Sequence, residues 1–252
     1  MDTIEKLKNA ANSSDTLSVK PMLSLGTNYT LMNLLFDGSS SMRNIIADTG
    51  KSAHQLCVES LERFLEGLRG KLGTRLIVSV YIFGGSVKCI VKNTLLCDLN
   101  TEALKKAIPQ PSSLTPMGQA LSQAIRDTEA YRDEMRAQGY RFNQPIYSLL
   151  TDGEATDSME EANKMADERL SHKPRQRMVL IPIGIGNTKT FPTLERLIQQ
   201  DPFRSEIRVL NSGDDFTEYV RIINATTVAI SGGETFNGIA GMMGNASLFT
   251  GQ

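Results

Sequence analysis

The stretch that decides the reading of this chain is Leu31-Met32-Asn33-Leu34-Leu35-Phe36, followed directly by Asp37-Gly38-Ser39-Ser40-Ser41-Met42. The first part is an apolar run that stops at an aspartate, the pattern of a strand buried on both faces of a sheet. The second part is small and polar. Taken alone it reads as an ordinary polar turn. Yet Asp37, Ser39 and Ser41 stand at i, i+2 and i+4, and in a chain that stays extended this spacing sends three oxygen-bearing side chains to one side. They would lie at the carboxyl end of a parallel strand, the edge at which open α/β sheets place their ligands.

Outward from this stretch, strand-like and helix-like segments alternate. Apolar positions at Ile46, Leu56, Leu61, Phe64, Leu65 and Leu68 predict a helix over residues 45–68. LIVSVYIF (76–83) is a second buried strand, and residues 87–91 follow it through Gly84-Gly85-Ser86, a turn tight enough to pair them antiparallel. A short helix over 101–108 is stopped by Pro109 and Pro111. A longer one runs over 116–137, with Thr115 as N-cap and Pro116 at the first helical position. Strands at 146–151, 178–185 and 207–210 then alternate with helices at 159–171, 191–199 and 216–230. Such alternation calls for right-handed crossovers. The expected fold class is therefore α/β, an open, mostly parallel sheet of roughly six strands with one antiparallel edge strand and helices on both faces.

The length, 252 residues, permits one such domain with extensions. Residues 1–28 read as an N-terminal extension and 29–230 as the domain. Residues 231–252 form a glycine-rich tail that is either flexible or folds onto the domain or a partner. A formal net charge of −1, with both signs mixed along the chain, gives no field that would draw nucleic acid or an anionic membrane surface. The N-terminus lacks the apolar core of a secretion signal, and no later run approaches a membrane span. Cys57, Cys89 and Cys97 are odd in number and lack metal-type spacing. They read as free thiols in a reducing compartment, so the expected location is the cytoplasm. His54 and His172 stand far apart, which leaves little for a histidine-based zinc site or a Ser-His-Asp triad.

Two further signals fall where the same sheet edge is expected. Thr115 opens Thr-Pro-Met-Gly-Gln-Ala-Leu at a helix start, where an N-cap is the plain reading. Asp152 follows the strand ending at Thr151 and precedes Gly153, where an Asp-Gly turn is the plain reading. With an Asp-x-Ser-x-Ser motif, a later Thr and an Asp after a later strand, in that order, the chain resembles the von Willebrand factor A (vWA) domains that carry a metal-ion-dependent adhesion site (MIDAS). Residues 115–121, LLTDGEATD at 149–157 and the last helix resemble the tellurite-resistance-type bacterial members in particular. One position departs from the family, which usually has Gly where this chain has Ser40.

The resemblance implies a Rossmann-like vWA fold. It implies a site where Ser39, Ser41 and Thr115 supply hydroxyls and Asp37 and Asp152 supply carboxylates to Mg²⁺ or Mn²⁺, directly or through water. A hard ion of this kind wants about six oxygens, and neutral hydroxyls leave it electrophilic enough to take an Asp or Glu from a protein partner. The free N–H groups of the adjoining helix N-terminus would favour that incoming anion. A bacterial stress-response or defence setting is also implied, with a kinase, a phosphatase or an ATPase as candidate partner classes.

Rival chemistries find less support. Thr49-Gly50-Lys51-Ser52 ends like a phosphate-binding loop, but Ile45 stands where the leading glycine belongs. Gly184-Ile185-Gly186 follows a strand like a dinucleotide fingerprint, but position 189 is Lys. A Mg²⁺-dependent phosphotransferase or phosphatase with Asp37 as nucleophile would want a second Asp two residues on, where Ser39 stands. The serine-rich turn also lacks the second glycine of a nucleophile elbow. A non-enzymatic binding module is the expectation, with a scaffold carrying a structural or vestigial metal site as the other binding-class reading.

Overall fold

In the computed structural model, which describes residues 23–171, 177–187, 190–201 and 207–233, the apolar run forms the centre of the sheet. Strand β1 (Asn28–Asp37) leads into a 3₁₀ turn at Ser40–Arg43. A small antiparallel ribbon of β2 (Ile45–Ile46) and β3 (Lys51–Ser52) follows, and then helix α1 (Ala53–Leu72). The helix expected from residue 45 therefore begins eight residues later, at Ala53. Ser52 caps it in a full capping box with Gln55, each side chain accepting from the other's backbone N–H. Ile45 and Ile46, which suit a helical stripe, are instead split by the ribbon, with Ile46 buried and Ile45 exposed.

Strand β4 (Leu76–Gly84) turns into β5 (Ser86–Leu95), helix α2 (Thr101–Ala107) and helix α3 (Met117–Ala137). The remaining elements are β6 (Arg141–Phe142), β7 (Ile146–Thr151), α4 (Glu160–Leu170), β8 (Val179–Ile185), α5 (Pro192–Leu197), β9 (Arg208–Leu210) and α6 (Gly213–Ser231). The sheet runs β5-β4-β1-β7-β8-β9, with the two-residue β6 beside the start of β1. All pairings in it are parallel except β4 with β5. This is the expected open sheet with one antiparallel edge strand. The two-residue β6 and the β2–β3 ribbon had no sequence signal strong enough to be expected.

Alternation along β1 distributes the core. Leu34 and Phe36 point to the face covered by α1 and α6, while Leu35 points to the face covered by α3, α4 and α5, as the two-residue period of a strand requires. Pro182 lies within β8 and aligns with Leu149 of β7, while β9 pairs only from Ile183 onward. The missing N–H of this proline therefore falls beyond the end of β9 and breaks no ladder bond there. A bulge in β5 places Asn93 at φ 46°, a conformation asparagine tolerates. The Ser79 hydroxyl accepts from the Asn93 N–H at 3.0 Å. Residues 1–22 of the N-terminal extension expected over 1–28, residues 234–252 of the glycine-rich tail expected over 231–252, and His172 lie outside the described residues.

Candidate functional site

Asp37 ends β1, flanked on both sides by strands, and its side chain is 1% exposed. Its two oxygens are held separately. Oδ1 accepts the Ser39 N–H at 2.7 Å, and Oδ2 accepts the Thr151 hydroxyl at 2.5 Å from the end of neighbouring β7. Burial raises its pKa from 3.8 to about 6; the charge of Asp152 adds to the rise, and the hydrogen bonds from Thr151 and Ser39 oppose it.

The turn after Asp37 depends on two glycines meeting. The Gly38 N–H donates to the Phe83 carbonyl at 2.9 Å. A Cβ on Gly84 would stand 2.1 Å from the Gly38 carbonyl oxygen, and one on Gly38 would stand 2.9 Å from the Ile82 side chain. Backbones approach this closely only where side chains are absent. On the other flank the Ser112 N–H donates to the Gly38 carbonyl at 2.6 Å.

Ser39 is extended, with φ −71° and ψ 166°, but from Ser40 the chain coils into the 3₁₀ turn. The expectation of an extended stretch from 37 to 41 is thus corrected. The hydroxyls of Ser39 and Ser41 still converge, 2.9 Å apart, and Ser41 donates to Asp152 Oδ1 at 2.7 Å. The turn, rather than strand alternation, brings them together. Ser40 is not among the residues with positive φ, so serine fits where the related motif usually has glycine. Asp152, half-buried at the end of β7, also has a raised pKa through burial, with the Ser41 bond acting against it.

Thr115 is buried in the loop leading to α3, and its backbone is clamped to the loop after β7. Its N–H donates to the Thr156 hydroxyl at 2.9 Å, and its carbonyl accepts the Thr156 N–H at 3.0 Å. It is not the helix N-cap. Pro116 holds that position and makes no side-chain cap. Instead the Asp157 carboxylate, reaching in from the β7–α4 loop, accepts the N–H groups of Gly118 and Gln119 at 3.0 and 2.8 Å. This also corrects the expectation of free N–H groups awaiting an anion, because Asp157 already takes them.

Asp37, Ser39, Ser41 and Asp152 thus share one hydrogen-bonded chain, and Thr115 sits on an adjoining loop braced to it through the backbone. The residues that sequence reasoning missed are Thr151, Thr156, Asp157 and Gly84. Thr151 and Thr156 lie inside the LLTDGEATD stretch, but nothing local marks which carboxylate or loop each one serves. Among the described residues no group of three His, Cys, Asp or Glu side chains gathers to hold a metal. The oxygen donors here are two carboxylates and a set of hydroxyls. Beneath the site, Asp37, His54, Cys57, Ile82 and Ile108 line a narrow crevice. Burial, with the charges of Asp37 and Asp152 adding to it, pushes the Cys57 thiol well up, and burial pulls the His54 pKa down. Cys57 is therefore held as a thiol rather than a nucleophilic thiolate.

The family model for the von Willebrand factor type A domain matches residues 32–222. The chain belongs to that family. It is a vWA protein, a member of a family of protein-interaction modules. No curated protein sequence matches it significantly. Among solved structures it is similar to a von Willebrand factor type A protein from Catenulispora acidiphila, with 15% identity and a TM-score of 0.60 over 82% of this chain and 47% of that one. It is also similar to the pilus adhesin SpaC from Lactobacillus rhamnosus GG, with 14% identity and a TM-score of 0.61 over 82% and 31%. A third is the proximal thread matrix protein 1 of mussel byssus, whose MIDAS motif is occupied by zinc, with 16% identity and a TM-score of 0.54 over 80% and 46%. These likenesses show the vWA fold, and the chain spans about half or less of each of these proteins. Among the described residues no helix is long and apolar enough to cross a membrane.

Proposed function

We propose that this vWA domain is a non-enzymatic interaction module that holds a divalent cation through Asp37, Ser39, Ser41, Thr115 and Asp152 and thereby captures an Asp or Glu of a protein partner. The observation that carries this reading is the chain of oxygens from Ser39 through Ser41 to Asp152, set above the buried Asp37. The donor set suits a hard cation. Burial raises the proton affinity of both carboxylates, the charge of Asp152 adds to the rise at Asp37, and no lysine or arginine is bonded to either in this chain of contacts. Mg²⁺ or Mn²⁺, when bound, would supply a Lewis-acidic centre for a partner's carboxylate. The protein's own residues do the rest. Asp37 is oriented by Ser39 and Thr151, the serine hydroxyls are set by the 3₁₀ turn, and Thr115 is fixed by Thr156.

The finer setting rests on the tellurite-resistance-type resemblance. That resemblance supports a role in bacterial stress response or defence with a kinase, phosphatase or ATPase partner, while the mixed charge of the chain supports no nucleic-acid partner and its hydropathy no membrane span. No disulfide joins Cys57, Cys89 or Cys97, which accords with a reducing compartment.

Calorimetric titration with Mg²⁺ and Mn²⁺ tests the reading. Saturable binding that raises the melting temperature is expected for the wild type and is lost in Asp37→Ala and Asp152→Ala. Equal binding by the wild type and both variants would overturn the assignment.

A further inference from the structure

A groove between the last helix and the outer strands of the sheet shares no residue with the cation site. Ile181 and Ile183 of β8, Leu210 of β9 and Tyr219, Ile222 and Ile223 of α6 form its apolar walls. They enclose about 90 Å³, room for one Leu, Ile or Met side chain. The mouth is charged, with Arg208 on the β9 side and Asp215 and Glu218 on the α6 side. The Arg221 guanidinium bonded to Glu218, with the charge of Arg208 adding, holds the Glu218 carboxyl below its usual range. Helix α6, which forms one wall, ends in a defined turn. The Gly233 N–H donates to the Ile230 carbonyl at 3.0 Å, and Gly233 takes φ 91°. A left-handed glycine there closes the helix and turns the chain off its axis.

Beyond that turn the chain has the composition that an apolar groove takes. Residues 235–252 carry no Asp, Glu, Lys or Arg but hold Phe236, Ile239, Met242, Met243, Leu248 and Phe249. Every other segment outside the described residues contains a lysine or an arginine. Reach narrows the choice. Ile222 lies about 16 Å back along α6 from Gly233, at 1.5 Å per residue, and extended chain covers about 3.3 Å per residue. Phe236 falls short, and Ile239 is the first large apolar residue that arrives. We infer that the C-terminal tail docks in this groove in cis, placing an aliphatic side chain from among Ile239, Met242, Met243 and Leu248 between α6 and the β8–β9 edge. The ligand of the groove is thus an uncharged, apolar segment of the same chain. Docking takes apolar surface out of water. The tether keeps the tail at high effective concentration, so one seated side chain suffices. The docked tail stands whether or not a cation binds at Asp37.

The test uses the full chain labelled at its isoleucine and methionine methyl groups, beside a full-length variant carrying Ile239→Ser, Met242→Ser, Met243→Ser, Leu248→Ser and Phe249→Ser. All five changes lie outside the groove and outside the described fold, so the domain keeps its core. Methyl NMR of the wild type should show through-space contacts from the tail methyls to Ile181, Ile183, Ile222 or Ile223. In the variant those contacts are lost and the resonances of these four isoleucines shift, while Ile77 and Ile125, in the other two core clusters, stay in place. Groove resonances identical in the two proteins, or tail contacts to methyls outside the groove, would overturn the docking. Contacts that fade on dilution would overturn docking in cis and give the groove to the tail of a second copy.

Discussion

Strand β1 ends in two different environments. At its N-terminal end Tyr29 is buried against Tyr140 and Phe142, with ring centroids 6.4 and 6.2 Å away, and its hydroxyl accepts the Ser24 N–H at 2.6 Å. At the other end, eight residues along the same strand, Asp37 is buried just as deeply, with its carboxyl pKa pushed up to about 6. One end places apolar area where it contributes most to stability. The other buries a charge that opposes folding unless something neutralises it. The difference separates residues that hold the fold from residues held by it.

Breaking the first end should have the largest effect. Tyr29→Ala removes a buried aromatic and is expected to lower stability by about 3–5 kcal/mol. Denaturant melts check this, with Mg²⁺ affinity per folded molecule unchanged. Gly84→Ala strikes the other end through sterics, since its Cβ would fall 2.1 Å from the Gly38 carbonyl. A loss of about 2–4 kcal/mol should accompany a loss of cation binding, because the Asp37–Ser41 turn must move.

Asp37→Asn should act in the opposite direction. A rise from 3.8 to about 6 corresponds to about 3 kcal/mol of destabilisation near neutral pH in metal-free protein. The variant is therefore expected to melt higher than wild type in chelator at pH 7, by up to that amount, while failing to bind Mg²⁺. The pH dependence has the matching sign. Because the folded-state pKa lies above the unfolded one, the folded protein binds more protons between about pH 4 and 6. Metal-free wild type should consequently lose stability as pH rises through that window and be more stable at pH 5 than at pH 7. Thermal melts of the two proteins across the window check this, and an identical slope in Asp37→Asn would refute the attribution to Asp37. The smallest effect is expected for Asp157→Ala, about 1 kcal/mol from the loss of a helix cap, with Mg²⁺ affinity nearly intact.

The strands at the middle of the sheet were legible because β1, β4, β7 and β8 are apolar runs long enough to be buried on both faces, and each is bounded by glycine or a polar turn. The start of α1 was misread for a physical reason. Ile45 and Ile46 extend an apolar periodicity across a segment whose real boundary is the Ser52–Gln55 capping box, a signal present in the sequence but weaker than the stripe. Asp157 was illegible for another reason. Three residues before the first residue of α4, it looks like that helix's own start signal, whereas it reaches across to the first turn of α3, 39 and 38 residues away in sequence. At the site, the spacing of Asp37, Ser39 and Ser41 and the strand-end position of Asp152 could be read locally. The convergence of their side chains arises from a 3₁₀ turn that no period-two pattern encodes, and the service of Thr151 to Asp37 exists only once β1 and β7 lie side by side.

The loops around the site are cross-braced main chain to main chain, Gly38 to Ser112, Gly85 to Leu114 and Thr115 to Thr156. At Ser112 and Leu114, which are exposed, bonds of this kind are indifferent to which side chain the residue carries. A lineage could therefore exchange Leu114 or Ser112 freely without loosening the loops. The same frame becomes a chassis on which partner preference drifts faster than architecture, and a library randomised at Ser112, Ser113 and Leu114 would explore new partners at little risk to folding.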